Sequence, residues 1–224
     1  MQTTMYETLL QLPLFRGMST DELSDVLKKV PFEFKTINAG ETFIEEGSIC
    51  SSFVLLISGS ITATKSGITE PFKLIETIDA PFLIEPYSLF GAVNKNTHSY
   101  AAKTSANLFI IEKIHMYSEL KKYDIFRMNL LNILSKKVQD MQASRWCITS
   151  TSLRDRIIML IRNLSETQVG ERHLKIRMET LAKILGETRL NISKELNRLE
   201  TDGLFILKRS EIVIPSLEVC EYGR

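Results

Sequence analysis

The stretch Met178 to Gly203, METLAKILGETRLNISKELNRLETDG, reads as two short amphipathic helices that meet at Gly186. Leu181, Ala182, Ile184 and Leu185 form the apolar face of the first, and glycine supplies the permissive backbone that a tight interhelical turn needs. Thr188 is placed to cap the second, where Ile192, Leu196 and Leu199 recur at the i, i+4, i+7 spacing of a buried stripe. The remaining face holds Arg189, Ser193, Lys194, Asn197 and Arg198, donors suited to base edges and phosphates. Small Ala182, Gly186 at the turn and Ile192 six residues later match the spacing of a DNA-binding helix-turn-helix. The plainer reading is an αα-hairpin with a solvated polar face. The C-terminal residues weigh against it: Leu204–Leu207 and Ile212–Ile214 are apolar β runs separated by KRSE, the hairpin of a wing, with Lys208 and Arg209 at its turn.

With 224 residues the chain is long for one compact domain and comfortable for two. Hydrophobic and charged contents of 44% and 25% are those of a soluble globular protein. The longest apolar run, FVLLI at 53–57, is far too short to span a bilayer, and the N-terminus lacks a signal-peptide pattern, so a cytoplasmic protein without a membrane partner is expected. Net charge is only +1, but it is segregated: residues 1–120 sum to −5 and residues 121–224 to +6. That suits a mildly acidic sensor joined to a modestly basic reader.

Cys50, Cys147 and Cys220 are scattered, as are His98, His115 and His173, so neither a zinc site nor an iron-sulfur cluster is expected, and no other metal. No set of nucleophile, base and oxyanion donor presents itself, which argues against an enzyme.

The first hundred residues have a different grammar. After a short helical region and the capped start STDELSDVLKKV come the β runs FEFKTINAG, ETFIEEGS, SFVLLISGS, ITATKSG, FKLIETI and, after Tyr100, AAKTSANLFIIEK. Short strands divided by Gly, Asn, Ser and Pro indicate an antiparallel roll or sandwich, with corners at Gly40, Gly47, Gly59 and Gly67. From Ser118 to Arg145 there is neither Gly nor Pro, and Leu131, Leu134, Val138, Met141 and Ile148 fall on a coiled-coil seam broken only by Arg145. A second stripe, Phe126, Leu130 and Ile133, is free to pack on the roll. A helix used by two surfaces favours a homodimer over a single-domain core helix, since two-fold operators usually require two-fold proteins.

In order and in residues, LPLFRGMSTDELSDVL, INAGETFIEEGS, FVLLISGSITAT, KTSANLFIIEK and the terminal helix-turn-helix together resemble the cyclic-AMP receptor and fumarate-nitrate regulator (CRP/FNR) family of bacterial transcription regulators. The resemblance implies an α+β chain in three parts: a cyclic-nucleotide-binding-like β-roll over 1–117, a dimerisation helix and hinge over 118–150, and a winged helix-turn-helix over 151–224. It further implies a palindromic double-stranded DNA operator, RNA polymerase as a partner, and a pivot at Trp146–Ser152 through which an effector sets the two readers.

The chain departs from that family at the effector pocket. Cyclic-AMP binders carry Gly-Glu-Leu and then, some ten residues on, Arg-Ser; here the region reads LIEPYSLFGAVNKNTHSY. Glu85 remains, but Ile84 and Pro86 flank it, and the phosphate arginine falls on Lys95 or Asn96. The hydroxyl pair that meets adenine falls on Met141 and Gln142. Glu85, Tyr87, Lys95, Asn96, Thr97, Met141 and Gln142 thus outline the pocket, and a cyclic nucleotide is not expected in it because the bidentate partner of its phosphate is missing. An apolar or larger small-molecule effector, or filling by Phe82, Leu83, Tyr87 and Phe90, is the alternative; no cofactor is expected.

On the second helix Arg189 matches the family, whereas Leu190 replaces a glutamate and can only touch a thymine methyl, and Lys194 replaces an arginine. Asn197 and Arg198 are better placed for the backbone, and Glu195 stands where relatives are apolar, with Arg198 or Arg189 as its possible ion partner. The competing reading is a sensory or scaffold protein that keeps the roll but no longer reads DNA. The retained Arg189, Lys194 and Arg198 favour a reader.

Overall fold

A computed structural model describes residues 5–147 and 152–218. Along the chain run α1 (Met5–Gln11), α2 (Thr20–Lys29), β1 (Glu33–Ile37), β2 (Thr42–Ile44), β3 (Ser52–Ser58), β4 (Ser60–Ser66), β5 (Phe72–Asp79), β6 (Phe82–Ile84), β7 (Ser99–Ala102), β8 (Ala106–Glu112), α3 (Lys113–Ser118) and α4 (Asp124–Cys147). There follow α5 (Leu153–Leu164), β9 (Arg172–Ile176), α6 (Met178–Leu185), α7 (Arg189–Thr201), β10 (Ile206–Lys208) and β11 (Glu211–Ile214), a mixed α+β chain with antiparallel sheets. Contacts gather it into two compact units: Met1–Ile61 with Asp79–Gln139, and Thr62–Ile78 with Asp140–Arg224.

In the first unit, α2 starts where its sequence signals. The Ser19 hydroxyl accepts from the Glu22 N–H at 3.1 Å while the Glu22 carboxylate accepts from the Ser19 N–H at 2.8 Å, so two otherwise orphaned donors are satisfied. Strands β1, β8, β3 and β6 form one sheet in that order, and β2 pairs with β7 across a bulge. Alternation sends Phe53 and Leu55 of β3 and Phe109 and Ile111 of β8 into the core, where Phe126 of α4 meets Phe53 edge-on at 6.2 Å.

The helix expected from Ser118 begins later. Buried Leu120 draws the chain inward through a 3-10 turn at Leu120–Lys122, Tyr123 is extended, and α4 starts at Asp124. The two stripes of α4 separate as their spacing implies: Phe126 and Leu130 are buried, and Ile133 packs on the same core. Leu131, Val138 and Met141 are each more than half exposed, whereas Leu134, assigned to the seam, is partly buried against the core. Ile148 and most of the pivot at 146–152 lie outside the described residues.

The second unit holds a correction. Its sheet β10, β11, β9 continues into β5, which pairs with β9 from Phe72↔Ile176 to Glu76↔Arg172. Residues 62–78, expected in a roll spanning 1–117, therefore build a core with residues from 153–217. The reason lies in the side chains. Leu74, Glu76 and Ile78 point to one buried face, and Leu74 joins Leu174, Ile176, Ile157 and Ile161. Gly170, at φ +90°, lets the backbone close in, because a Cβ there would stand 2.9 Å from the Thr77 carbonyl. The Thr77 N–H donates to the Glu171 carbonyl at 3.2 Å.

A fully buried ion pair fastens the strand. Arg172 Nε lies 3.7 Å from Glu76 Oε2. Its guanidinium donates to Ser165 Oγ at 3.1 Å and to the carbonyls of Gly170, Thr167 and Val169 at 2.7, 2.5 and 3.2 Å. The Glu76 carboxylate accepts from the N–H groups of Glu166 and Thr167 at 2.6 and 3.3 Å. Burial pushes the Glu76 carboxyl up despite these donors and the nearby arginine.

Candidate functional site

The second unit presents α6 and α7 as the sequence indicates. Gly186 ends α6 in the left-handed region at φ 64°, where the Glu187 N–H donates to the Ala182 carbonyl at 2.9 Å. The Thr188 hydroxyl caps α7 by accepting from the Asn191 N–H at 3.2 Å. Ile192, Leu196 and Leu199 are fully buried, so the heptad-like stripe fixes which face of α7 remains outside.

That outer face carries Arg189, Leu190 and Lys194, with Leu190 63% exposed. An exposed leucine flanked by cations has little to gain from water and suits an apolar contact such as a thymine methyl. Arg189 Nη1 lies 3.2 Å from Glu179 Oε1, a carboxylate in the first turn of α6. Glu195 is satisfied by Arg198 at 3.2 Å and not by Arg189. Asn191 donates to Glu187 Oε2 at 3.1 Å, and Glu187 also pairs with Arg156. Lys194, Lys208 and Arg209 have no ion-pair partner among the described residues. The strands β10 and β11 are joined by Arg209 and Ser210, the latter at φ 60°, which bends this turn towards the end of β9 through Ile176 N–H to Ser210 O at 3.1 Å.

Between the start of α6, the start of α7 and this hairpin lies a cleft of about 270 Å³. Apolar Ile176, Met178, Leu207 and Ile212 line it, with Arg177, Arg189 and Lys208 set against Glu179 and Glu211. Arg189 and Lys208 thus border one cleft, while Thr188, Leu190, Lys194, Asn197 and Arg198 are exposed on α7 and its cap, Ser193 is half-buried, and Arg209 is exposed in the hairpin turn. Sequence reasoning misses Glu179; its only signal is an acid in the first turn of a helix, where it opposes the helix dipole favourably.

In the first unit the residues around Glu85 converge on each other. Glu85 is buried at φ 36°, ahead of a single 3-10 turn at Pro86–Ser88. Its Oε1 accepts from the His98 N–H and the Thr97 hydroxyl at 2.9 Å and from the Tyr100 hydroxyl at 3.1 Å, and stands 3.1 Å from His98 Nδ1. Its Oε2 accepts from the Ser88 hydroxyl at 2.7 Å and the Thr97 N–H at 2.8 Å. Burial alone would push this carboxyl up, but the donors from His98, Thr97 and Ser88 outweigh it and hold the pKa at about 2. The carboxylate that the family resemblance assigns to a ribose hydroxyl is here saturated by its own chain.

The other pocket residues divide. Tyr87 lies 3.5 Å from Thr97 Oγ1 and under Lys137, whose Nζ is 4.2 Å from the ring centre. Asn96 is buried and spends its amide on Ser48 Oγ at 2.9 Å, and Lys95 is exposed in a bridge with Ile49. Met141 and Gln142 are exposed residues of the second unit. Leu83 and Phe90 belong to the first unit's core. Burial pushes the Cys50 thiol up, away from a reactive thiolate, and Cys220 lies outside the described residues.

No protein-family model and no curated protein sequence matches this chain. Solved structures do. The chain is similar to the catabolite activator protein of Thermus thermophilus (16% identity, 92% of this chain and 95% of that one, TM-score 0.52). It is also similar to the c-di-GMP responsive global regulator CLP of Xanthomonas campestris (17% identity, 88% and 100%, TM-score 0.50). A third likeness is to the N-terminal domain of a transcriptional regulator from Streptomyces coelicolor (16% identity, 65% and 99%, TM-score 0.52). The chain thus shares the fold of CRP/FNR-type transcription regulators. No helix among the described residues is long and apolar enough to cross a membrane.

Proposed function

We propose that this chain is a homodimeric, sequence-specific DNA-binding transcription regulator of the CRP/FNR type, working in the cytoplasm and communicating with RNA polymerase. The observation that carries the reading is the outer face of α7. Arg189, Leu190 and Lys194 stand exposed, Arg189 shares a cleft with Lys208 of the hairpin, and the stripe of Ile192, Leu196 and Leu199 is fully buried. In a winged helix-turn-helix, α7 enters the major groove, Arg189 pairs with guanine O6 and N7, Leu190 meets a thymine methyl, and Lys194, Lys208 and Arg209 neutralise phosphates. A scaffold that had stopped reading DNA has no use for this arrangement.

Support for the dimer in this proposal comes from α4. Leu131, Val138 and Met141 form an exposed apolar ladder on a helix whose other stripe is already in the core, and a second copy of the same ladder is its natural cover. Two readers then meet half-sites about 34 Å apart.

Selection of bound sequences from random duplex DNA tests the reading. It is expected to return an inverted repeat, with binding that weakens steeply as salt rises. Arg189→Ala should lose roughly 1–3 kcal/mol on the selected duplex and relax preference at one base pair. Equal loss on every duplex would assign Arg189 to phosphate.

The effector is not cyclic AMP in this reading, because Glu85 already accepts from Ser88, Thr97, His98 and Tyr100. Millimolar cyclic AMP should leave the melting temperature unchanged; a saturable rise of several degrees would mean that the ligand displaces these donors.

A further inference from the structure

The geometry points to Glu179 as the residue that positions Arg189 and so determines specificity at the guanine it reads. This assignment rests on the DNA-reading function proposed above.

Arg189 is the first residue of α7, a poor place for a cation, because the N-terminus of a helix already carries partial positive charge. α7 has no acid in its own first turn to offset this. Glu187, just before the helix, is engaged by Arg156 and Asn191. Glu195, one turn on, is engaged by Arg198. The carboxylate that meets Arg189 comes from the other helix: Glu179 Oε1, 3.2 Å from Nη1. Glu179 is itself held at the favourable end of α6, and both side chains border the same cleft.

A guanidinium presents its donors in a planar fork, and a carboxylate on Nη1 leaves the rest of the fork for a second planar partner. The ion pair on Nη1 biases which way the fork faces, so less rotamer freedom is lost when the other donors meet O6 and N7 of guanine. With the fork biased towards guanine, a base offering a different acceptor pattern is met badly, and discrimination rises more than affinity does. Leu190 beside it adds an apolar contact that cannot substitute for a lost guanine. Glu179 is 64% exposed on its side chain, so replacing it disturbs no core.

The experiment uses the full-length chain and the duplex it selects, with each guanine-cytosine pair replaced singly. Affinities are measured for the wild type, Glu179→Gln, Arg189→Ala and the double variant. Glu179→Gln is expected to lower the preference at one guanine about tenfold, leave affinity for unrelated DNA unchanged, and add nothing to the loss at that guanine already present in Arg189→Ala. Uniform tightening on all duplexes would overturn the assignment, since Glu179 would then merely repel phosphate. So would an effect on preference that persists without Arg189. A wild-type chain with no preferred sequence would overturn the DNA-reading premise itself, and this assignment with it.

Discussion

Arg172→Ala is expected to destabilise the second unit by about 3–5 kcal/mol, the range for removing one partner of a buried ion pair. The substitution strips a donor from the carbonyls of Thr167, Val169 and Gly170 and leaves Glu76, 1% exposed, without a countercharge. Its pH dependence identifies the cause. Burial raises the folded-state pKa of Glu76 above the unfolded value, so the folded protein binds the proton more tightly and gains stability as pH falls through that interval. Without Arg172 the interval widens upwards. Urea denaturation should therefore show a loss that grows as pH rises, because a protonated Glu76 no longer needs the guanidinium. A loss independent of pH would place the cost in the loop carbonyls alone. Hydrogen exchange of the β5 and β9 amides should quicken together in this variant while that of β3 and β8 holds, since those strands lie in the first unit.

Glu85→Ala is expected to cost about 3 kcal/mol in the first unit, the equivalent of a carboxyl held at about 2 against an ordinary value of 4.5. The sign is opposite to that of Glu76. A depressed folded-state pKa contributes stability that is complete above the unfolded value and lost as acid carries the pH down from 4.5 towards 2. The variant should therefore differ most from wild type at neutral pH and converge on it in acid, as read by thermal melts across that range. Glu85→Gly would relieve the left-handed backbone at φ 36° yet still orphan the N–H groups of Thr97 and His98, so it should recover only part of the loss.

The pair α6 and α7 was legible because its signals are local: a 3.6-residue period, a glycine at the turn and a threonine at the cap fall within one short stretch. β3 and β8 were legible for the same reason, as short apolar runs set off by Gly and Ser. β9 was not. RHLKI places a fully buried arginine in a strand, and a charge at such a position hides the alternation that would betray it. The start of α4 was blurred because the break at Leu120–Lys122 contains neither Gly nor Pro; tertiary burial of Leu120, not propensity, interrupts the helix. Its one local sign is Asp124 in the first turn. Around Glu85 the donors were visible as residues, but a sequence does not show that Ser88, Thr97, His98 and Tyr100 meet on one carboxylate. A glutamate in the left-handed region carries no marker either.

The strand β5 makes the second unit discontinuous in the chain. Its partners in β9 are about a hundred residues further along, so during synthesis the outer edge of β5 waits unpaired until Arg172–Ile176 has emerged. The polypeptide passes between the units at three places, near residues 61, 78 and 139, and one cut cannot part them into two intact pieces. A fragment beginning at residue 151 would carry α7 but expose the open edge of β9 and a bare Arg172. The α6–α7 pair is therefore not a portable module: grafting it elsewhere means carrying the hairpin along with it.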